Sequence, residues 1–246
     1  MIKFFLIGMG TGNPEHLTIE GIKTLKKMDL ILLPKKNNQK KELLNIRKHI
    51  CKTILKKKTI IKEYNIPRRT QKKNYQESVN IWHQKISENI FKIIKKNYSE
   101  KNKLGFLIWG DPALYDSTLR IISNLKIKYK LKIISGISSI QALTSAHSIS
   151  LNEIGESVLV TTGRKLKGEM FKNSKSVLVF LDGEYSFKFL DLKHYYIWWG
   201  AYLGMKKQIL IKGKLSEVYK KIISRKKKAQ TVNGWIMDTY LLKKID

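Results

Sequence analysis

Three short stretches combine residue types that could bind a ligand and act on it: GMGTGNP at residues 8–14, WGDPALY at 109–115 and SGISS at 135–139. Each sets glycine, which lets a backbone approach a ligand closely, beside a carboxylate or a small hydroxyl. The middle stretch is the richest, since Gly110 has no side chain, Asp111 brings a carboxylate and Pro112 fixes a backbone angle. Side by side, the three would present backbone amides, one carboxylate and two hydroxyls. That set suits a ligand with an amino acid end and an adenosine end. His16, His49, His83, His147 and His194 are scattered, with no partner at metal-ligand spacing, so no metal site is expected.

The first cluster imitates a dinucleotide fingerprint but fails it. Gly8, Gly10 and Gly12 read GxGxG, position 13 is Asn, and the next strand ends Leu33-Pro34-Lys35 with no carboxylate for a ribose. A GxxxxGK[ST] phosphate loop is also missing. Hydride transfer is not expected.

Strands must carry these loops, because ligands bind at the carboxyl ends of strands in open α/β sheets. KFFLIG, DLILLP and Leu104–Trp109 read as buried strands, and Lys132–Ser135 as a further strand. Thr18 can cap a helix reaching about Met28, with Ile22 and Leu25 on one face. Leu43, Ile46, Ile50 and Ile54 keep helical spacing between Lys40 and Lys58, as do Val79, Ile86, Ile90 and Ile93, and then Leu119, Ile122 and Leu125. Strands alternating with helices predict a parallel sheet covered on both faces. After about Ser148 the texture changes to closely spaced strands, ESVLVTT, SVLVFLDG, YYIWWGAYL, QILIKG and GWIMDTYLL, with one helix near Ser216 to Ser224. The expected fold is α/β with two domains: an N-terminal α/β domain at 1–137 carrying the glycine loops, and a C-terminal mixed-sheet α+β domain at 138–246, with the active-site cleft between them.

The formal charge of +30 invites a nucleic-acid reading. Of the 49 basic residues, however, only six are arginines (Arg47, Arg68, Arg69, Arg120, Arg164, Arg225), and Arg is the residue that makes bidentate phosphate and base contacts. Lysines are densest from Lys35 to Lys73 and in RKKK at 225–228. They read as compositional enrichment of solvated helix faces, so no specific nucleic-acid partner is expected. No apolar run approaches the ~20 residues needed to span a bilayer, and the first apolar run, about six residues, is shorter than a signal h-region. The single cysteine, Cys51, excludes an intramolecular disulfide and reads as a structural thiol, in keeping with a reducing, cytoplasmic compartment.

WGDPALYDSTLR, ISGISSIQALTSAHSISLNEIGESVLVTTGR, YIWWGAYLG and GWIMDTYLL resemble the tetrapyrrole methylases, two-domain enzymes whose signature is three such loops in this order. The resemblance covers nearly the whole chain. It departs at Ser135, where the family usually has proline, and at Thr11 and Asn13, which replace its usual Pro and Asp. It implies S-adenosylmethionine as cofactor, held by Thr11, Trp109, Gly110, Asp111, Leu114, Ser138, Ser139, Asp182 and Gly204. It also implies a homodimer acting on a tetrapyrrole, and the longer stretches point to precorrin-5, methylated at a ring carbon with loss of acetate. Arg120 and Arg164 each follow a matched loop and could meet the substrate's carboxylates. For the water that removes the acetyl group, His147 lies nine residues past Ser138, ~13 Å along a helix. Asp111 and Tyr115 are better placed, and with Arg164 they are the catalytic candidates: Asp111 mainly toward the cofactor, Tyr115 toward the substrate. Two competing functions are an RNA ribose methyltransferase of the same superfamily and a non-catalytic basic nucleic-acid-binding protein. The second leaves three glycine loops unexplained.

Overall fold

The structure, a computed structural model, describes residues 1–36, 41–55, 58–70, 74–97, 103–166 and 174–245. Lys40, Lys56 and Lys57, which fall in the second expected helix, and Lys72 and Lys73 of the lysine-dense stretch lie outside the described residues. The chain divides into two units, Met1–Ser138 and Ser139–Asp246.

The first unit is built on five parallel strands: β1 (Ile2–Gly8), β2 (Leu30–Lys35), β3 (Ile60–Asn65), β4 (Lys103–Ile108) and β5 (Tyr129–Ile134), in the order β3-β2-β4-β1-β5. Alternate side chains point to opposite faces, and both faces are apolar. Phe4, Leu6, Leu30, Leu32 and Phe106 pack on one side against Ile86, Ile90 and Ile94 of helix α3 (Tyr75–Asn97) and Ile121 and Ile122 of helix α4 (Thr118–Ser123). Ile7, Ile31, Leu33 and Leu107 pack on the other against Leu25 of helix α1 (Ile19–Leu25) and Leu44, Ile50 and Cys51 of helix α2 (Lys41–Ile54). Burial on both faces is why β1, β2 and β4 read as unbroken apolar runs, whereas the edge strands β3 and β5 are largely exposed.

Thr18 caps α1 as expected, its Oγ1 accepting from the Gly21 amide at 3.0 Å. The helix stops at Leu25 rather than Met28, because Lys27 and Met28 donate to Thr24 and Leu25 in a tightened last turn. Strand β3 was not legible in the sequence. It is an edge strand whose Ile60 and Ile61 are exposed and whose IIKEYN lacks a two-residue apolar period.

The second unit holds a mixed sheet of β6 (Val158–Thr162), β7 (Ser176–Phe180), β8 (Tyr195–Ala201), β9 (Ile209–Lys214) and β10 (Asp238–Lys244), ordered β6-β7-β10-β8-β9. Only the β6–β7 pair is parallel. Helices α5 (Ser139–His147), α6 (Gly163–Leu166) and α7 (Leu215–Asn233) accompany it. Helix α7 continues well beyond Ser224, through the RKKK run, to Gly234, which ends it in the left-handed conformation at φ 68°. Arg225, Lys227 and Lys228 of that run are exposed as expected, but Lys226 breaks the expectation of solvated lysines. Lys226 is 3 % exposed and lies with Ile222 and Ala229 on the buried face, at the four- and three-residue spacing of a helix. Among the described residues no helix is long and apolar enough to cross a membrane.

Candidate active site

The three glycine loops leave the carboxyl ends of β1, β4 and β5, which are neighbours at one side of the first sheet. Their backbones touch. A Cβ on Gly8 would lie 2.6 Å from Gly136 Cα and 2.8 Å from the Gly110 carbonyl oxygen, and one on Gly136 would lie 2.3 Å from that oxygen. Only glycine permits such packing. Gly110 is needed for a different reason: its φ of +67° is left-handed, while a Cβ there would meet only Ser138 Cα, at 3.8 Å. Gly10 and Gly110 exchange amide hydrogen bonds, at 2.8 and 3.4 Å, which ties the first loop to the second.

Asp111 ties the second loop to the third. Its Oδ2 accepts from the Gly136 amide at 2.9 Å and its Oδ1 from the Ala113 amide at 2.8 Å. Leu114 donates back to the Asp111 carbonyl at 3.2 Å, closing the turn. Thr11 is buried, its Oγ1 3.0 Å from His16 Nδ1, and His16 packs so closely on Gly10 that a Cβ there would lie 2.2 Å from the His16 Cβ. Burial lowers the His16 pKa from its ordinary value, against the opposing pull of Glu15. The first unit therefore brings Thr11, Trp109, Gly110, Asp111, Leu114 and Ser138 to one end of one sheet. Tyr115 sits in the same loop, 47 % exposed, with φ at +51°. A left-handed bulky residue is strained, and strain of this kind collects where a side chain must be aimed. Arg120 is exposed on α4, its Nη1 3.5 Å from the Asp116 carbonyl.

In the second unit Asp182 follows β7 and is buried. Its carboxylate accepts from the amides of Glu184 (3.1 Å) and Ser186 (2.7 Å) and from the hydroxyls of Ser186 (3.0 Å) and Tyr240 (2.7 Å). The Lys226 ammonium donates to the Asp182 carbonyl and, at 2.7 Å, to Asp238 Oδ2, which also accepts from Trp199 Nε1 at 2.9 Å. Desolvation pushes the Asp238 carboxyl up from its ordinary value, and Lys226 pulls it back. Burial and the Asp182 charge raise the Tyr240 phenol well above its own. Just before Asp182, Leu181 is left-handed at φ 52° and 66 % exposed. Arg164 is exposed in α6, next to Gly163, whose backbone lies against the Asp182 carboxylate. Ser139 Oγ accepts from Thr239 Oγ1 at 3.0 Å. Gly204, at φ +76°, gives its amide to Gln208 Oε1 at 2.8 Å. His147 is a structural residue: buried on α5, with Nε2 donating to the Trp199 carbonyl at 3.1 Å.

A model of the Tetrapyrrole (Corrin/Porphyrin) Methylases matches residues 3–219. The chain belongs to the tetrapyrrole methylases. Among relatives, the chain is similar to the precorrin-6A synthase [deacetylating] of a Sinorhizobium species, 39% identical over 99% of this chain and 96% of that protein. The crystal structure of a cobalamin synthesis related protein (CobF) from Corynebacterium diphtheriae superposes with a TM-score of 0.86 at 35% identity, covering 100% of both chains. A uroporphyrin-III C-methyltransferase from Thermus thermophilus, solved with S-adenosylhomocysteine, shares the fold at a TM-score of 0.60 and 13% identity, over 98% of this chain and 97% of that one.

Three residues that support these loops, each within its own unit, escaped sequence reasoning. His16 reads as a scattered histidine, and only its five-residue offset from Thr11 hints at pairing. Lys226 hides in a lysine run, where its registry with Ile222 is the sole signal. Arg47 looks like any helix-surface arginine, yet it is 8 % exposed and its guanidinium carbon lies 5.8 Å from the Trp109 ring centroid. Cys51 was read correctly as structural: burial raises its thiol to about 11, so it is no nucleophile at neutral pH.

Proposed function

We propose that this tetrapyrrole methylase transfers a methyl group from S-adenosylmethionine to C-1 of precorrin-5, with loss of the acetyl group as acetate, giving precorrin-6A. The observation that carries the proposal is the 39% identity, across 99% of the chain, to a precorrin-6A synthase [deacetylating]. The glycine cradle supports the choice of methyl donor. Backbone fills every position behind Gly8 and Gly136, whereas Gly110 projects nothing toward a ligand.

Bound there, S-adenosylmethionine supplies an electrophilic methyl group on a sulfonium. Thr11, Trp109, Gly110, Asp111, Leu114 and Ser138 would hold it, with Ser139, Asp182 and Gly204 assigned to it by family resemblance. Asp111 acts through the loops it ties, since both its oxygens already accept backbone amides. Holding donor and acceptor in line is where much of the rate arises. Deacetylation needs water to add to the acetyl carbonyl. Acetate then leaves, and its electron pair stays on the ring carbon, which becomes the nucleophile. Tyr115, exposed and aimed by its left-handed backbone, assists that water. Arg164 and Arg120 pair with the substrate's acetate and propionate groups. The chain works as a homodimer in the cytoplasm, and no nucleic acid is part of its cycle.

Incubation with S-adenosylmethionine and precorrin-5, followed by mass analysis, tests the reaction. Products heavier by methyl and lighter by acetyl are expected, with one acetate released per turnover. Calorimetry tests the donor site: wild type binds S-adenosylhomocysteine and Gly110→Leu does not. A folded wild type that binds neither donor nor product rules the reading out. For Tyr115→Phe, acetate release falls while donor binding holds; unchanged rates of both acetate release and methyl transfer remove Tyr115 from the mechanism.

A further inference from the structure

Strand β4 carries the loop of Trp109, Gly110 and Asp111, and the way it leaves the sheet depends on Pro34. The odd-numbered carbonyls along β2, counted from Asp29 just before it, serve β3: Ile60 donates to Asp29 and Ile66 to Lys35. The even-numbered residues of β2 therefore face β4, where Leu30 pairs with Leu104 and Leu32 with Phe106. On β4 the Ile108 carbonyl accepts from Met9, toward β1, so the Leu107 carbonyl faces β2. In a parallel ladder its donor would be the amide of residue 34. Proline has none, and the ladder stops at Phe106.

Arg47 takes that place. From α2 its Nε donates to the Leu107 carbonyl at 3.0 Å, and its Nη1 donates to the Leu43 carbonyl at 3.0 Å. The same guanidinium lies within cation–π range of the Trp109 ring, 5.8 Å from its centroid. Among the described residues no carboxylate lies within ion-pair distance of it, so a buried cation is held by two carbonyls and a ring. That is a costly arrangement unless the position serves the loop.

We propose that Arg47 is the positioning residue of the second glycine loop. It replaces the hydrogen bond Pro34 cannot make and holds the Trp109 ring, so that Trp109, Gly110 and Asp111 meet the methyl donor in one geometry. The proposal rests on the methyl-donor site described above.

The test is a double-mutant cycle between Arg47 and Pro34, read by calorimetry with S-adenosylhomocysteine and by steady-state methyl transfer. Arg47→Met removes both carbonyl bonds and the ring contact, and affinity falls about tenfold, the scale of losing a buried charge-assisted hydrogen bond. KM for S-adenosylmethionine rises in step, while kcat at saturation and KM for the tetrapyrrole stay within about twofold, a split that general destabilisation does not produce. Adding Pro34→Ala to Arg47→Met restores a backbone donor and regains at least about threefold in affinity, whereas Pro34→Ala alone leaves binding unchanged. If Arg47→Met does not fold, Arg47→Lys takes its place: a lysine cannot span two carbonyls with a planar fork, and about threefold weakening is expected. Wild-type affinity in the folded Arg47 variant, or a double mutant no tighter than Arg47→Met, overturns the proposal. Failure of the wild type itself to bind S-adenosylhomocysteine overturns the methyl-donor reading instead.

Discussion

Around Gly8, Gly110 and Gly136 the loops are held by backbone against backbone, with Asp111 accepting two amides. The turn after β7 is held differently, by a buried network in which Asp182, Asp238, Lys226, Tyr240 and Trp199 share their hydrogen bonds. Backbone contacts carry no net charge and do not titrate. A buried ionic network can be satisfied completely, but it fails badly when one member is lost, because the remaining charge is stranded in a low dielectric. The two kinds of support therefore break under different insults.

The largest effect is expected in the ionic network. Lys226→Met strands Asp238 beside Asp182 and costs roughly 3–5 kcal/mol of stability, the usual result of removing one partner from a buried pair. Chemical denaturation measures it. The double variant Lys226→Met with Asp238→Leu recovers most of the loss; failure to recover would mean that the pair matters for more than its charge balance.

The backbone cradle comes next. Gly136→Ala places a methyl 2.3 Å from the Gly110 oxygen and 2.7 Å from Gly8 Cα. Overpacking of that kind costs about 1–3 kcal/mol. Here the loops move apart to relieve it, so S-adenosylhomocysteine affinity falls more than the stability loss accounts for. Equal stability and affinity would show that the three backbones are not jointly required.

Acid acts on both units through buried or half-buried histidines outside the ionic network. Burial holds His16, His83 and His147 below their ordinary pKa, and Arg120 adds to the effect at His83, whose Nε2 has no hydrogen-bond partner among the described residues. The unfolded chain takes up these protons near pH 6.5, before the folded one does. Stability is therefore fully present above that pH and is lost as pH falls below it. Denaturation midpoints at pH 7.5 and 5.5 read the drop, and His147→Gln, which keeps a donor for the Trp199 carbonyl, reduces it. The smallest effect lies on the surface. Glu63 bridges Lys48 at 2.5 Å and Lys35 at 3.3 Å, and its pKa is lowered, chiefly by the Lys48 hydrogen bond. Glu63→Gln costs less than about 1 kcal/mol, and added salt shrinks that further.

The sequence by itself determined what local chemistry encodes. Apolar runs such as KFFLIG and DLILLP announce strands buried on both faces, Thr18 announces a helix start, and glycine clusters at strand ends announce close backbone approach. These signals are read within a few residues, so the parallel sheet, the mixed second sheet and the three converging loops were legible. The tertiary structure alone decided which charged residues matter. Lys226 and Arg47 are buried, at 3 % and 8 % exposure, in a chain where 49 basic residues share one residue-type vocabulary. Little local marks them beyond the helical registry of Lys226 with Ile222, because their partners lie elsewhere along the chain: Asp182 and Asp238 for one, Leu107 and Trp109 for the other. Strand β3 was missed for the same reason. Its residues, exposed apart from Glu63 and the buried Tyr64, have no apolar period of their own, and they become a strand because β2 offers a free edge to pair with.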